Sequence, residues 1–113
     1  LKPIKLLFVC SRNKWRSLTA EKIFHRCNGY DVRSAGTEEQ ARIKVTEGHI
    51  GWAELIFVME KKHAARIRHK FPHAASSKKI ICLDIPDEYK YMDEDLIEML
   101  KSRVSEHIEL PDN

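Results

Sequence analysis

The sequence predicts an α/β fold, a single three-layer domain over residues 1–113 with a four-stranded parallel sheet flanked by helices. Three observations predict it. Short apolar runs rich in β-formers recur four times along the chain. Helical patterns separate most of them, the alternation expected of strands buried on both faces. The length of 113 residues suits one domain, and 42% hydrophobic with 33% charged residues is a globular composition.

Ile4 to Val9 is the first strand, ending in Cys10-Ser11-Arg12-Asn13-Lys14-Trp15, which has neither helical nor strand periodicity. From Arg16 a helix pattern places Ala20, Ile23, Phe24 and Cys27 on one face, with Glu21, Lys22 and Arg26 opposite. Asn28-Gly29 ends it through a left-handed turn. Asp31 to Ser34 is a short, weak strand closed by Ala35-Gly36-Thr37. Glu38 to Gly51 is polar, a loop with at most a short helix over Val45 to Trp52. Glu54 to Met59 is a buried strand, followed by a helix over Glu60 to Phe71 with Ala64, Ile67 and Phe71 on its apolar face. Pro72 stops that helix. Lys79 to Leu83 is the fourth strand and Asp84 to Met92 a loop. Asp93 is an N-cap for the last helix, with Glu94 and Asp95 favourable against its dipole. Leu96, Leu100, Val104 and Ile108 form that helix's core stripe.

In such sheets ligands bind at the carboxyl ends of the strands. Cys10 follows the first strand, and Asp84 to Asp87 follow the last. The segment from Cys10 to Ser17 joins a strand to a helix, so backbone N–H groups and the helix N-terminus can converge on a dianionic phosphate. A cysteine at the start of that loop shares the same field, which favours the thiolate, a nucleophile able to attack phosphorus. Arg16, six positions on, can curl across the loop and offer its planar fork to phosphoryl oxygens. Ser17 can donate a hydroxyl hydrogen bond to the sulfur.

Cys10-Ser11-Arg12-Asn13-Lys14-Trp15-Arg16-Ser17 resembles the signature loop of the low-molecular-weight protein tyrosine phosphatases. Further landmarks follow in order: Ser34-Ala35-Gly36-Thr37, the run Trp52 to Met59, and Ile85-Pro86-Asp87-Glu88-Tyr89. The resemblance covers most of the chain. It implies Cys10 as nucleophile, Arg16 as the phosphate-binding arginine and Asp87 as general acid, with Asp84 as its competitor. Asn13 would hold the loop in a left-handed conformation, and Tyr89 would wall the pocket. Ser11, Arg12, Asn13, Lys14, Trp15, Ser17 and Tyr89 make up the expected substrate-binding set, with Trp15 at the pocket mouth. The reaction implied is hydrolysis of phosphate monoesters, protein phosphotyrosine foremost, through a cysteinyl phosphate with no metal and no cofactor. The partner expected is a phosphorylated protein or small phosphate ester, and the protein itself a monomer or weak homodimer.

The chain departs from the family pattern at several places. Arg12 stands where the family has Gly, Trp15 where it often has a second Cys, and Leu18 where Pro is usual. Glu88 follows Asp87 in place of Pro, and the chain is short around Thr37 to Val45 and between Phe71 and Lys79.

Other readings are weighed on the same residues. Arsenate reduction on the same loop needs further cysteines, and only Cys27 and Cys82 remain, both expected in the core. A phosphate- or phosphopeptide-binding module without turnover is the second alternative. From Glu60 to Lys79 there are seven Lys/Arg and one acid, yet no aromatic interleaving of the kind nucleic-acid binders use. No apolar run approaches the ~20 residues of a membrane span. The start lacks a signal-peptide pattern. Three cysteines at unrelated spacings indicate neither a disulfide framework nor a zinc site, so the cytoplasm is the expected compartment. The six histidines lack metal spacing and are expected at the surface.

Overall fold

The computed structural model describes residues 2–110. Four strands form one sheet: β1 (Ile4–Cys10), β2 (Tyr30–Gly36), β3 (Leu55–Val58) and β4 (Lys79–Cys82). Their order is β2-β1-β3-β4, and every neighbouring pair is parallel. The helices are α1 (Arg16–Phe24), α2 (Glu47–Trp52), α3 (Lys61–Lys70), α4 (Pro72–Ala75) and α5 (Glu94–Ser105).

Alternation along β1 sets the two cores. Leu6, Phe8 and Cys10 point to one face, where they meet Ala20 and Phe24 of α1 and Leu96, Leu100 and Val104 of α5. Phe8 lies between Phe24 and Phe57, stacked at centroid distances of 5.6 and 5.1 Å. Leu7 and Val9 point to the other face, with Ile50 of α2, Ile67 of α3 and Ala75 of α4. The central strand is thus buried on both sides, which is why its sequence reads as an unbroken apolar run.

Most element bounds differ from the sequence expectation by a residue or two. β1 extends to Cys10 and β2 runs from Tyr30 to Gly36, because pairing with β1 recruits residues of weak intrinsic preference. The first helix ends at Phe24 rather than continuing to Cys27; turn bonds from Cys27 N–H to the Phe24 carbonyl and Tyr30 N–H to the Cys27 carbonyl take over. Pro72 follows the end of α3 but also opens the short α4, where a first-turn proline loses no hydrogen bond. Asp93 caps α5 by accepting from the Asp95 N–H at 2.8 Å, and Ile108 lies beyond that helix yet packs against the first core.

β1 has β2 on one side and β3 on the other, so the chain reverses its direction of travel across the sheet at β1. A crevice opens beyond the carboxyl end of a strand at such a switch point. Cys10 is the last residue of β1.

Candidate active site

The loop from Cys10 to the start of α1 is held from outside by its carbonyl groups. The Cys10 carbonyl accepts from Thr37 N–H (3.0 Å), Ser11 from Glu38 N–H (2.9 Å) and Arg12 from Arg42 N–H (2.9 Å). The Asn13 carbonyl accepts from Arg42 Nε at 3.2 Å. Four successive carbonyls are therefore spoken for by the segment after β2. The amide N–H groups of residues 11–15 donate to no acceptor among the described residues. Such a row of free donors, continuing into an uncapped helix N-terminus, is suited to an anion.

Two residues make this path possible. Asn13 has φ 55, the left-handed region that asparagine tolerates better than most residues. Its side chain is fully buried, and Nδ2 donates to Ser17 Oγ and Ser34 Oγ, each at 2.8 Å. Ser34 in turn donates to Glu21 Oε1 at 2.6 Å. Gly36 lies directly beneath the loop: a Cβ there would stand 2.6 Å from the Ser11 carbonyl oxygen and 2.9 Å from the Arg12 carbonyl carbon. Only glycine lets β2 approach this closely.

Within the loop, Cys10 Sγ and Ser17 Oγ are 3.0 Å apart and both residues are buried. Ser17 Oγ accepts from the Asn13 amide, and its single hydrogen can go to the sulfur at 3.0 Å or to the longer Ala35 carbonyl contact at 3.4 Å. Arg16 is 2% exposed. Its Nη1 donates to Glu60 Oε2 at 2.5 Å and to the Ile85 carbonyl at 2.8 Å, which fixes the guanidinium plane. Its Nε lies 3.6 Å from Asp87 Oδ1. The hydrogen bond from Arg16 holds the Glu60 carboxyl below its usual pKa.

A hollow of about 270 Å³ opens over the loop, lined by Cys10, Ser11, Arg12, Lys14, Trp15, Arg16, Glu38, Lys62 and Asp87. It falls below the roughly 300–1,000 Å³ of drug-sized ligand sites, a volume suited to a small anion and part of its ester group. Trp15 is 37% exposed at its edge, with Lys14 Nζ 5.6 Å from the ring centroid. The rim carries Arg12, which lies 3.8 Å from Glu38, and Lys62, which lies 3.9 Å from Glu60.

Seven of the ten residues singled out from sequence line this hollow: Cys10, Ser11, Arg12, Lys14, Trp15, Arg16 and Asp87. Asn13 and Ser17 lie behind it as supports. Tyr89 is not among the lining residues; it packs half-buried against the first core, so the aromatic surface at the mouth is Trp15. Asp84 lines a separate cleft with Arg103, Glu106 and His107, and its carbonyl accepts from Arg103 at 2.9 Å. The neighbouring Glu88 is exposed and does not reach the hollow.

Two site residues escaped the sequence reading. Glu60 stands just past the carboxyl end of β3, a position that strand-end logic could have flagged. His63 was expected at the surface with the other histidines, yet it is fully buried. Its Nδ1 accepts from Glu60 N–H at 3.0 Å, and its Nε2 lies 2.9 Å from Ser11 Oγ. The spacing of three residues from Glu60 to His63, as in a reciprocal helix cap, was the signal available.

No family model and no curated protein sequence matches the chain. Solved structures do match its fold. The arginine phosphatase YwlE from Geobacillus stearothermophilus is 22% identical, with 92% of each chain covered and a TM-score of 0.69. The tyrosine phosphatase Wzb from Escherichia coli K30, solved with phosphate, is also 22% identical, covering 90% of this chain and 94% of that one at a TM-score of 0.73. The low-molecular-weight protein tyrosine phosphatase SP-PTP from Streptococcus pyogenes is 16% identical, covering 93% of each chain at a TM-score of 0.74. At these identities the likeness establishes architecture, and the chain has the α/β fold of the low-molecular-weight protein tyrosine phosphatases.

Proposed function

We propose that this protein is a cysteine-dependent phosphatase acting on phosphate monoesters, with protein phosphotyrosine as its substrate class. One observation carries the reading. The Cys10 sulfur sits against the Ser17 hydroxyl at the foot of a loop whose amides are free and whose arginine is anchored from behind. Nucleophile, anion donors and a bidentate cation converge on one hollow.

In the proposed reaction the phosphoryl group lies in the loop, its oxygens on the amides and on the guanidinium nitrogens of Arg16 that Glu60 and Ile85 leave unused. Cys10 Sγ attacks phosphorus as the ester P–O bond breaks, and Asp87 protonates the departing oxygen. Asp87, then a carboxylate, takes a proton from water, whose oxygen attacks the cysteinyl phosphate. The P–S bond breaks, Ser17 stabilises the returning sulfur anion, and inorganic phosphate leaves. Positive charge for the transferring group comes from fixed dipoles and Arg16. Trp15 offers a face for the ring of an aryl ester. The mechanism requires Cys10 as a reduced thiol, which supports a reducing compartment such as the cytoplasm.

Arsenate reduction fits less well. Cys27 packs against the first core and Cys82 against the second, on opposite faces of the sheet, and neither lines the hollow.

The test is para-nitrophenyl phosphate hydrolysis by the natural protein, Cys10→Ser and Asp87→Asn. Cys10→Ser abolishes turnover while retaining phosphate binding, and Asp87→Asn slows it most for esters with poor leaving groups. Phosphate binding without hydrolysis by the natural protein replaces this reading with a binding module. Arsenate-dependent oxidation of a thiol reductant replaces it with a reductase.

A further inference from the structure

His63 has no part in the chemistry above, yet it is a fully buried histidine in contact with the loop. Its hydrogen bonds leave one arrangement of protons. A backbone N–H can only donate, so the Glu60 N–H directed at Nδ1 requires a bare lone pair on that nitrogen. The hydrogen of the neutral ring is then on Nε2, which donates to Ser11 Oγ at 2.9 Å. Burial first, and the Arg16 guanidinium second, hold the ring pKa down at about 4, so the ring is neutral near pH 7.

The consequence falls on Ser11. Its hydroxyl accepts from His63 and has no other side-chain partner among the described residues. Its one hydrogen is therefore left over, and Ser11 lines the hollow above Cys10. Ser17 is built the same way. There the Asn13 amide donates to the hydroxyl from behind, and the serine faces the Cys10 sulfur. A hydroxyl that accepts from a nitrogen donor is polarised into a better donor itself. The loop thus has two such hydroxyls, one backed by an amide and one by an imidazole.

We propose that His63 is a positioning residue that fixes the Ser11 hydroxyl as a hydrogen-bond donor to the oxyanion held in the Cys10 loop. This rests on the anion-binding half of the phosphatase reading and not on turnover. The ligand class is a tetrahedral oxyanion, free phosphate or the phosphoryl end of an ester, with one oxygen on Ser11. Loss of a hydrogen bond to a charged group weakens binding roughly tenfold or more.

The experiment is titration calorimetry of inorganic phosphate at neutral pH, which needs no hydrolysis and so separates this proposal from the fate of the enzymatic reading. The variants are Ser11→Ala, Ser11→Thr, His63→Phe and the Ser11→Ala/His63→Phe pair. Ser11→Ala weakens phosphate roughly tenfold, and Ser11→Thr, which keeps the hydroxyl, restores most of the affinity. His63→Phe produces a similar loss, and the double variant is no worse than the weaker single one. Should His63→Phe fail to fold, nitrogen-15 NMR of the natural protein reads the same proton arrangement directly. It shows His63 protonated on Nε2 and bare on Nδ1. Undiminished phosphate affinity in Ser11→Ala overturns the proposal. So do losses that multiply in the double variant, or a His63 ring carrying its proton on Nδ1.

Discussion

Arg16 and Glu60 stand 44 positions apart in sequence, and the guanidinium Nη1 of the first meets the carboxylate Oε2 of the second at 2.5 Å. The arginine is almost wholly buried, while the glutamate carboxyl is about one-third exposed. The pair joins the start of α1 to the end of β3, across the crevice beside β1. It determines which face of the guanidinium is turned toward the loop.

Replacing that carboxylate leaves the charge on Arg16 but frees its plane. Glu60→Gln is expected to lower kcat/KM for para-nitrophenyl phosphate by roughly tenfold to a hundredfold, the loss of about 1.5–3 kcal/mol from a charge-assisted bond. Steady-state kinetics with circular dichroism as a folding check measure it. Unaltered kcat/KM would mean that the Ile85 carbonyl alone orients Arg16.

Asn13 separates backbone strain from hydrogen bonding. Asn13→Gly accommodates φ 55 but loses both side-chain bonds, whereas Asn13→Ala loses the bonds and adds steric cost. Both variants are expected to be destabilised, with the alanine variant worse by about 1 kcal/mol. Denaturant midpoints with unchanged slopes report the difference.

Acid weakens the fold through two groups acting in one direction. Glu60 titrates below its ordinary value in the folded protein because of Arg16, so its contribution is present above about pH 4.5 and is lost as pH falls. His63 titrates at about 4 when folded against 6.5 unfolded, so the unfolded chain takes up a proton first as pH drops below 6.5. Its contribution is complete above 6.5 and is lost progressively down to 4. Between pH 7 and 5 this one histidine accounts for about 2 kcal/mol, and His63→Phe flattens the pH dependence across that window. Unfolding free energies measured at several pH values give the slope.

Arg12, Lys14 and Lys62 outnumber Glu38 on the rim, so under the proposed function they are expected to favour substrates with negative charge beside the phosphate. Raising ionic strength from about 0.05 to 0.5 M is expected to increase KM for a phosphotyrosine peptide with acidic neighbours several-fold, and for para-nitrophenyl phosphate much less. Equal responses would assign the rim no part in substrate choice.

The sequence made the sheet legible because its strands are buried on both faces, so Leu6 to Val9 and Ile56 to Val58 read as unbroken apolar runs. The loop was legible because its chemistry is local: Cys10, Asn13, Arg16 and Ser17 lie within one strand-to-helix turn. Glu60 and His63 were not, since their roles arise when β3 is laid beside β1 and a charge-rich helix turns inward. Tyr89 shows the opposite case. The family resemblance implied that it walls the pocket, but it packs half-buried against the first core and does not line the hollow. The different placements of Asp84 and Asp87 also needed coordinates: Asp84 adopts φ 58 and its carbonyl engages Arg103, whereas Asp87 lies beside Arg16 and lines the hollow.

The most direct measurement is to mix the protein with an aryl phosphate, quench by rapid denaturation and weigh the chain by mass spectrometry. Asp87→Asn, able to accept the phosphoryl group but slow to activate water, accumulates one added phosphate that peptide mapping places on Cys10. Cys10→Ser accumulates no thiophosphate adduct and turns over no ester. Undiminished hydrolysis by Cys10→Ser, or a phosphate trapped in Asp87→Asn on any side chain other than Cys10, would contradict the account.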